Sequence, residues 1–459
     1  MIFEQHYLEC LSQASYFIGD ETTGKAVVVD PRRDVSIYLD SAAEHDMSIE
    51  LVLETHFHAD FLSGHLELAE ATGAAIAYGD KAETEFDSRK LADGERIELG
   101  EVVLEIRHTP GHTPESISIV VYETADSAPY AVLTGDTLFI GDVGRPDLLS
   151  SKGMSSEELA GWLYDSLHEQ LMTLPDETRI YPGHGAGSSC GKNLSSDTWC
   201  TIGNQRASNY ALAPMSRDEF VGVVTDGQSA PPAYFAYDAG LNRELRPLLD
   251  EMAPPTPMAM DDVIEAQRTG AVVIDTRGPV EFANGHVRGS INIGMAGRFA
   301  EFAGGILRPH DQIVIVAEEG RSLEAKNRLA RIGFDNVIGV LADPETSMAD
   351  NSDLVGRSSR VDVATFRSLV DSVDDLQLVD VRQPGETSGG VIDGAILVPL
   401  TRLRAGIDTL DPTRPTVIYC AGGFRSSIAA SYLKANGFAD VTDVLGGYGA
   451  WTAAMAPAG

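Results

Sequence analysis

The sequence predicts an α/β protein: a layered N-terminal domain followed by two parallel-sheet α/β units. Three observations predict this. Apolar β runs in the first 250 residues repeatedly end in a histidine or aspartate loop. Two later segments share one order: strand, Asp-x-Arg, Gly-rich return, second strand, a loop with Gly and Arg-Ser, then a helix. A Pro cluster near 254–257 divides the two regions. The 459 residues are too many for one ordinary domain.

Taken in order, "KAVVVDP" and "IELVLETHFHAD" read as apolar strands feeding loops. "VVLEIRHTPGHTPESISIVVY" reads as two strands around a Pro/Gly turn, and "AVLTGDTLFIGDVGRPD" and "TRIYPGHGAGS" as further strands ending in metal-type residues. Helical stretches such as 155–173 fall between them. Such a domain carries its site on strand-end loops. "RPLLDEMAPPTPMAM" reads as a linker, and the polar stretch at 343–360 separates the two later units. These units repeat over roughly a hundred residues, which marks a duplicated domain. The expected boundaries are 1–252, 258–345 and 358–459.

The net charge is −35, from 69 acidic and 34 basic residues. Nucleic acid and anionic membranes need basic patches, so neither is expected as a partner. No stretch reaches the roughly 18 apolar residues of a membrane span. The N-terminus lacks a basic start before an apolar run, and Cys10, Cys190, Cys200 and Cys420 are scattered. Reduced thiols in a cytoplasm are the expectation.

"THFHADFLSGH" holds His56, His58 and Asp60. His112 lies in "HTPGHTPES", Asp136 in "TGD" and His184 in "YPGHG". A lone histidine is usually structural, but these six donors on strand-end loops predict a metal site.

This pattern resembles the metallo-β-lactamase superfamily over residues 1–250, which implies an αββα sandwich. In its glyoxalase-II-like hydrolases, H-x-H-x-D-H supplies two metals. That resemblance places His56, His58, His112 and Asp136 at a first site, and Asp60 and His184 at a second. Phe61 stands where the last histidine of the motif belongs, so the second site loses a ligand. A single site with two histidines and one carboxylate matches the facial triad of non-haem Fe(II) oxygenases. The sequence is more closely similar to the persulfide dioxygenase branch. The similarity implies one Fe(II) per chain on His56, His112 and Asp136, with zinc as the alternative metal. It also implies that His58, Asp60 and His184 orient ligands or substrate through hydrogen bonds. "TGDTLFIGDVGRPDL" also looks like that branch, with Arg145 and Asp147 buttressing the site. Cys190 and Lys192 follow His184 closely and are candidates for meeting substrate.

"YCAGGFRSS" is the second motif. Cys420 ends an apolar strand and a helix starts near Ser426, so loop amides, the helix N-terminus and Arg425 would favour a thiolate or persulfide anion. Cys420, Ala421, Gly422, Gly423, Phe424 and Arg425 resemble the rhodanese active loop, Cys-x-x-Gly-x-Arg. Asp380 and Arg382 in "LVDVR" and the "LGGYGAW" segment fit the same family. Phosphatase loops of this fold are usually one residue longer. The first unit keeps "VIDTR" and "GRS" but has "AEEGRS" where the loop belongs, with no cysteine. Glu318 and Glu319 would repel an anion there. That copy is expected to serve packing, docking or assembly.

The chain thus looks like a persulfide dioxygenase fused to an inactive and an active rhodanese-like domain. The resemblance implies oxidation of a low-molecular-weight thiol persulfide by O₂ to sulfite. Sulfur transfer at Cys420 would then form or use thiosulfate, in sulfide detoxification. Family habit suggests a homo-oligomer. The alternative is a zinc-dependent glyoxalase II-like thioester hydrolase with an accessory rhodanese.

Overall fold

A computed structural model describes residues 1–148, 153–228 and 230–455. They form two compact units: 1–231 with 235–250, and 232–234 with the chain from 251 onward.

The first unit holds two six-stranded sheets. One is ordered β1 (Ile2–Leu8), β2 (Gln13–Asp20), β3 (Lys25–Val29), β4 (Ser48–Leu53), β5 (Ala75–Gly79) and β6 (Arg89–Leu91). The other contains β7 (Arg96–Glu98), β8 (Val103–His108), β9 (Ile117–Tyr122), β10 (Pro129–Gly135), β11 (Arg179–Pro182) and β12 (Cys200–Thr201), running from β12 to β7. The period of two along each strand explains the layers. Val27, Val29, Leu51 and Leu53 face Leu104, Ile106, Ile119 and Leu133 across the sheet–sheet core. Their neighbours Ala26, Val28 and Val52 face the other way, onto Tyr38 and Leu68 of helices Ser36–Glu44 and His65–Thr72. On the far side Val120 and Val132 pack on Ala160 and Leu163 of helix Ser156–Asp165. Both faces of each sheet are therefore covered, which is why the strands read as near-continuous apolar runs. Each such buried side chain contributes about 1.5–3 kcal/mol.

The second unit contains two five-stranded parallel sheets. The first is ordered β13 (Pro257–Met258), β18 (Val337–Leu341), β17 (Ile313–Val316), β14 (Val272–Asp275), β16 (Ile291–Asn292). The second is ordered β20 (Ser359–Val361), β24 (Val441–Val444), β23 (Thr416–Tyr419), β21 (Gln377–Asp380), β22 (Ile396–Leu397). A short antiparallel pair, β15 (His286–Val287) and β19 (Val355–Gly356), lies beside the first. The polar stretch at 343–360 is thus not plain linker: it holds helix Pro344–Asp350, β19 and the start of β20.

The two strand orders are the same, so the repeat read in the sequence is a repeat in topology. Register aligns it residue by residue. Asp275 pairs with Val316 as Asp380 pairs with Tyr419. Ala317 therefore stands where Cys420 stands. One residue fewer separates Ala317 from Arg321 than separates Cys420 from Arg425. The repeats meet at Asn292, whose N–H donates to Ser431 Oγ (2.9 Å) and whose Oδ1 accepts from Ser427 Oγ (3.0 Å). All three residues are buried. Among the described residues no helix is long and apolar enough to cross a membrane.

Candidate metal centre and cysteine loop

Four loops meet at one end of the sandwich: those after β4, β8, β10 and β11. The loop after β4 is pinned first. Asp30, at the end of β3 with φ +51°, accepts Thr55 N–H (2.7 Å) and Thr55 Oγ1–H (2.8 Å). The Thr55 hydroxyl has then spent its proton and accepts from His56 Nδ1 at 2.9 Å. That fixes the tautomer of His56 and leaves Nε2 as a lone-pair donor. His112 is set in the same way: Nδ1 donates to the Arg145 carbonyl at 2.9 Å. Gly144 makes this approach possible, because a Cβ there would lie 1.9 Å from the Asp136 carbonyl oxygen.

The two free Nε2 atoms converge on one oxygen. His56 Nε2 lies 3.8 Å and His112 Nε2 3.5 Å from Asp136 Oδ2. That oxygen is buried and accepts no hydrogen bond. Burial pushes the His56 imidazolium well below its ordinary pKa, with His58 adding to the effect, so His56 is a neutral imidazole. For Asp136, burial alone would raise the carboxyl; the adjoining His184, with His56 and His112, holds it far below the usual range instead. Two imidazoles and one carboxylate, with an orphaned oxygen among them, fit a divalent transition metal.

The remaining donors turn to one another. His184 Nδ1 donates to Asp136 Oδ1 (2.7 Å) and Nε2 to Asp60 Oδ2 (2.8 Å). Burial would lower His184, but these two carboxylates outweigh it and push it well above the ordinary value. His58 faces away from Asp136, its Nε2 lying 3.1 Å from Asp30 Oδ1 and 3.4 Å from Glu54 Oε2. Burial opposes its charge, yet Asp30 and Glu54 push its pKa up to about 10. The segment is a loop, and the His56 and His58 rings sit 4.2 Å apart, on one side as residues two apart also are in an extended chain. The nitrogens, not the rings, diverge. Phe61 is fully buried with its ring 4.3 Å from that of His58.

In the second unit Cys420 follows β23. Its sulfur accepts Gly423 N–H at 3.1 Å and lies 3.7 Å from Ser426 Oγ. Helix Arg425–Ala435 begins at the loop's end, so its N-terminal dipole faces the sulfur region. Behind the loop, Arg360 pairs with the buried Asp443 and donates to the Gly423 carbonyl at 2.9 Å. The Cys420 carbonyl accepts from Tyr448 N–H at 2.7 Å. Gly447 has φ +55°, and a Cβ there would sit 2.2 Å from that carbonyl, so only glycine lets "LGGYGAW" close on the loop.

Comparison with known proteins agrees with both halves. The Metallo-beta-lactamase superfamily model matches residues 8–184. A solved structure, a metallo-beta-lactamase from Staphylococcus aureus, is 33% identical with a TM-score of 0.67, covering 74% of this chain and 98% of that one. The chain belongs to the metallo-β-lactamase superfamily. Its αββα sandwich is followed by two rhodanese-like domains, whose model matches 259–343 and 363–454. The chain is 35% identical over 183 residues to "Hydroxyacylglutathione hydrolase cytoplasmic" of Arabidopsis thaliana (39% of this chain, 66% of that protein). It is 29% identical over 215 residues to "Persulfide dioxygenase ETHE1, mitochondrial" of Bos taurus (46% of this chain, 75% of that protein).

Within the metallo-β-lactamase domain the other singled-out residues fall unevenly. Arg145 pairs with Asp147 at 2.7 and 2.8 Å while its carbonyl holds His112. Cys190 is buried near Asp60 and His184. Burial, with Asp60 and Asp136, pushes its thiol well up. Lys192 is not brought to the cluster: its ammonium bonds the carbonyls of Val223 (2.9 Å) and Asp226. Sequence reasoning missed Asp30, Thr55, Glu54 and Asn242. Asn242 donates to the carbonyls of His58 and Phe61, both at 2.8 Å, and so clamps the loop. Only the Asp at the end of "KAVVVDP" carried a local signal; Asn242 is some 180 residues away in sequence.

Proposed function

We propose that this chain is a persulfide dioxygenase whose rhodanese-like domain transfers sulfane sulfur at Cys420. The observation that carries the reading is the sorting of donors around Asp136. His56 and His112 converge on Oδ2, while His184 occupies Oδ1 and links it to Asp60. The residues of a second metal site are thus spent on each other, and Phe61 stands where the motif's last histidine belongs. A one-metal site supports oxygenase chemistry rather than two-metal hydrolysis, and a relative named as a persulfide dioxygenase supports the same choice.

An Fe(II) ion held by His56, His112 and Asp136 would supply O₂ activation. The chain's own groups do the rest. Asp30 through Thr55, and the Arg145 carbonyl, hold the two imidazoles in their ligating tautomer. The buried His184 bridges Asp136 and Asp60 and offsets part of their charge. The net reaction is R–S–SH + O₂ + H₂O giving R–SH and H₂SO₃, which loses its protons as sulfite. At the second site the Cys420 thiolate takes the outer sulfur of a persulfide or of thiosulfate. The resulting Cys420 persulfide returns it to a thiol or to sulfite. Gly423 N–H and the helix N-terminus stabilise the anion before and after transfer.

A second reading has its own support: relatives named as hydroxyacylglutathione hydrolases, at 35% and 30% identity. It makes the N-terminal domain a zinc-dependent thioester hydrolase. One experiment separates the two. The chain is loaded anaerobically with Fe(II), given glutathione persulfide, and followed by O₂ electrode with sulfite and thiosulfate assayed. The zinc-loaded chain is given S-lactoylglutathione. O₂ uptake with sulfite supports the dioxygenase; thioester cleavage without O₂ uptake overturns it.

A further inference from the structure

The sulfur-transfer loop contains a charge that does not fit a simple anion cradle. Arg425, the cation at the end of that loop, is already occupied. Its Nη1 and Nη2 each lie 2.6 Å from a different oxygen of Glu386, a bidentate pair. Burial would weaken the guanidinium's hold on its proton, but Glu386 and the neighbouring Cys420 sulfur outweigh it.

Glu386 is not a passing surface partner. It lies in the short helix Pro384–Thr387, where its Oε2 also accepts Gln383 N–H at 2.9 Å in a capping box. Its carbonyl accepts from Arg382 Nη1 at 3.2 Å, and Arg382 is itself locked onto the buried Asp380. The carboxylate is therefore held against Arg425 from behind. The fold does not force this pairing. In the cysteine-less repeat Glu281 occupies the equivalent place, six residues after Asp275 as Glu386 is after Asp380. There Arg321 pairs instead with Glu324 at 2.8 Å. The Arg425–Glu386 pair belongs to the repeat that carries the cysteine.

We propose that Glu386 sets the charge of donor that the Cys420 site accepts, favouring monoanionic thiol persulfides over dianionic sulfur oxoanions such as thiosulfate. The proposal rests on the sulfur-transfer reading above. With Glu386 in place, the mouth of the loop presents a neutral pair rather than a bare cation. An incoming anion must share Arg425 with a fixed carboxylate, and the repulsion grows with the anion's charge. Chemistry at sulfur is the same for both donors. The Cys420 thiolate attacks the outer sulfur, the donor S–S bond breaks, and sulfite or an alkyl thiolate leaves with the electron pair. Only the charge brought to Arg425 differs.

The test uses the full chain and Glu386→Gln, whose amide oxygen can still accept the capping N–H. Thiosulfate, a dianion, and the persulfide of 2-mercaptoethanol, a monoanion, are compared as donors, with cyanide accepting the sulfur. The expected result is a fall in KM of roughly tenfold for thiosulfate against roughly threefold for the persulfide, with kcat little changed, because repulsion scales with charge. The difference should shrink in high salt. Equal shifts for both donors, or a rise in the thiosulfate KM, would mean that Glu386 only organises the loop, and would overturn the proposal while leaving sulfur transfer intact. If neither donor yields thiocyanate and mass spectrometry finds no sulfur added to Cys420 in either protein, the sulfur-transfer reading falls and this proposal with it.

Discussion

His184 Nδ1 lies 2.7 Å from Asp136 Oδ1, the carboxylate oxygen that does not face His56 and His112. One carboxylate is thereby divided between the His184 imidazolium on one oxygen and the His56 and His112 rings on the other. His184→Ala would leave Asp136 and Asp60 buried without their cation. The expected cost is about 3–5 kcal/mol of stability, read by urea unfolding. Metal affinity should fall as well, since Asp136 loses the partner that holds its orientation.

Thr55→Val keeps shape but removes the hydroxyl between Asp30 Oδ2 and His56 Nδ1. Metal binding is expected to weaken about 10–100-fold, as for loss of other partners that orient a ligand. A competition titration with a chromogenic chelator measures it. Unchanged affinity would show that His56 is oriented by packing alone.

On the proposed reading, Cys420→Ser separates sulfur transfer from O₂ uptake. Thiocyanate formation should disappear, while O₂ uptake on persulfide stays within about twofold, because Asp136 and Cys420 belong to different compact units. Joint loss of both would overturn the division of labour.

Asn292 ties the cysteine-less repeat to the helix behind the active loop, through Ser427 and Ser431. Asn292→Leu strands the buried Ser427 hydroxyl and the Arg277 carbonyl, while the Asp275 carbonyl keeps only the Ile293 N–H. A loss of about 1–3 kcal/mol is expected. Hydrogen exchange in helix Arg425–Ala435 should rise more than in the N-terminal unit.

His286 makes acid stability testable. Burial, aided by Lys434 and Arg277, lowers its pKa from 6.5 to about 4, although its Nδ1 donates to Phe282 O at 2.8 Å. Between those values the unfolded chain binds the proton and the folded chain does not. Its contribution is thus complete above pH 6.5 and lost as pH falls toward 4. The wild type should lose about 2 kcal/mol more than His286→Gln between pH 6.5 and 4.5. Parallel urea curves at both pH values would refute this.

Much of the site was legible because its signals are local. His56, His112 and Asp136 each end a β run, and Cys420 ends "TVIY" before a glycine loop, so strand period and loop chemistry located them. The duplication was legible for the same reason, since "VIDTR" and "LVDVR" repeat a strand and its cap. What a side chain faces was not. Lys192 lies near His184 in sequence yet bonds carbonyls at 223 and 226. His58 alternates with His56 in the motif but turns to Asp30 and Glu54.

The sequence by itself determined the fold class, the duplicated domain, the missing cysteine and the residue types gathered at each site. All of these follow from apolar periodicity and from motifs only a few residues long. The tertiary structure alone decided that His184 binds Asp60 and Asp136 together, that Asn242 clamps the His58 loop, and that Glu386 holds Arg425. Hydrogen-bond and charge pairing act over a few ångströms of space between residues far apart in the chain, and no local pattern records which partner arrives.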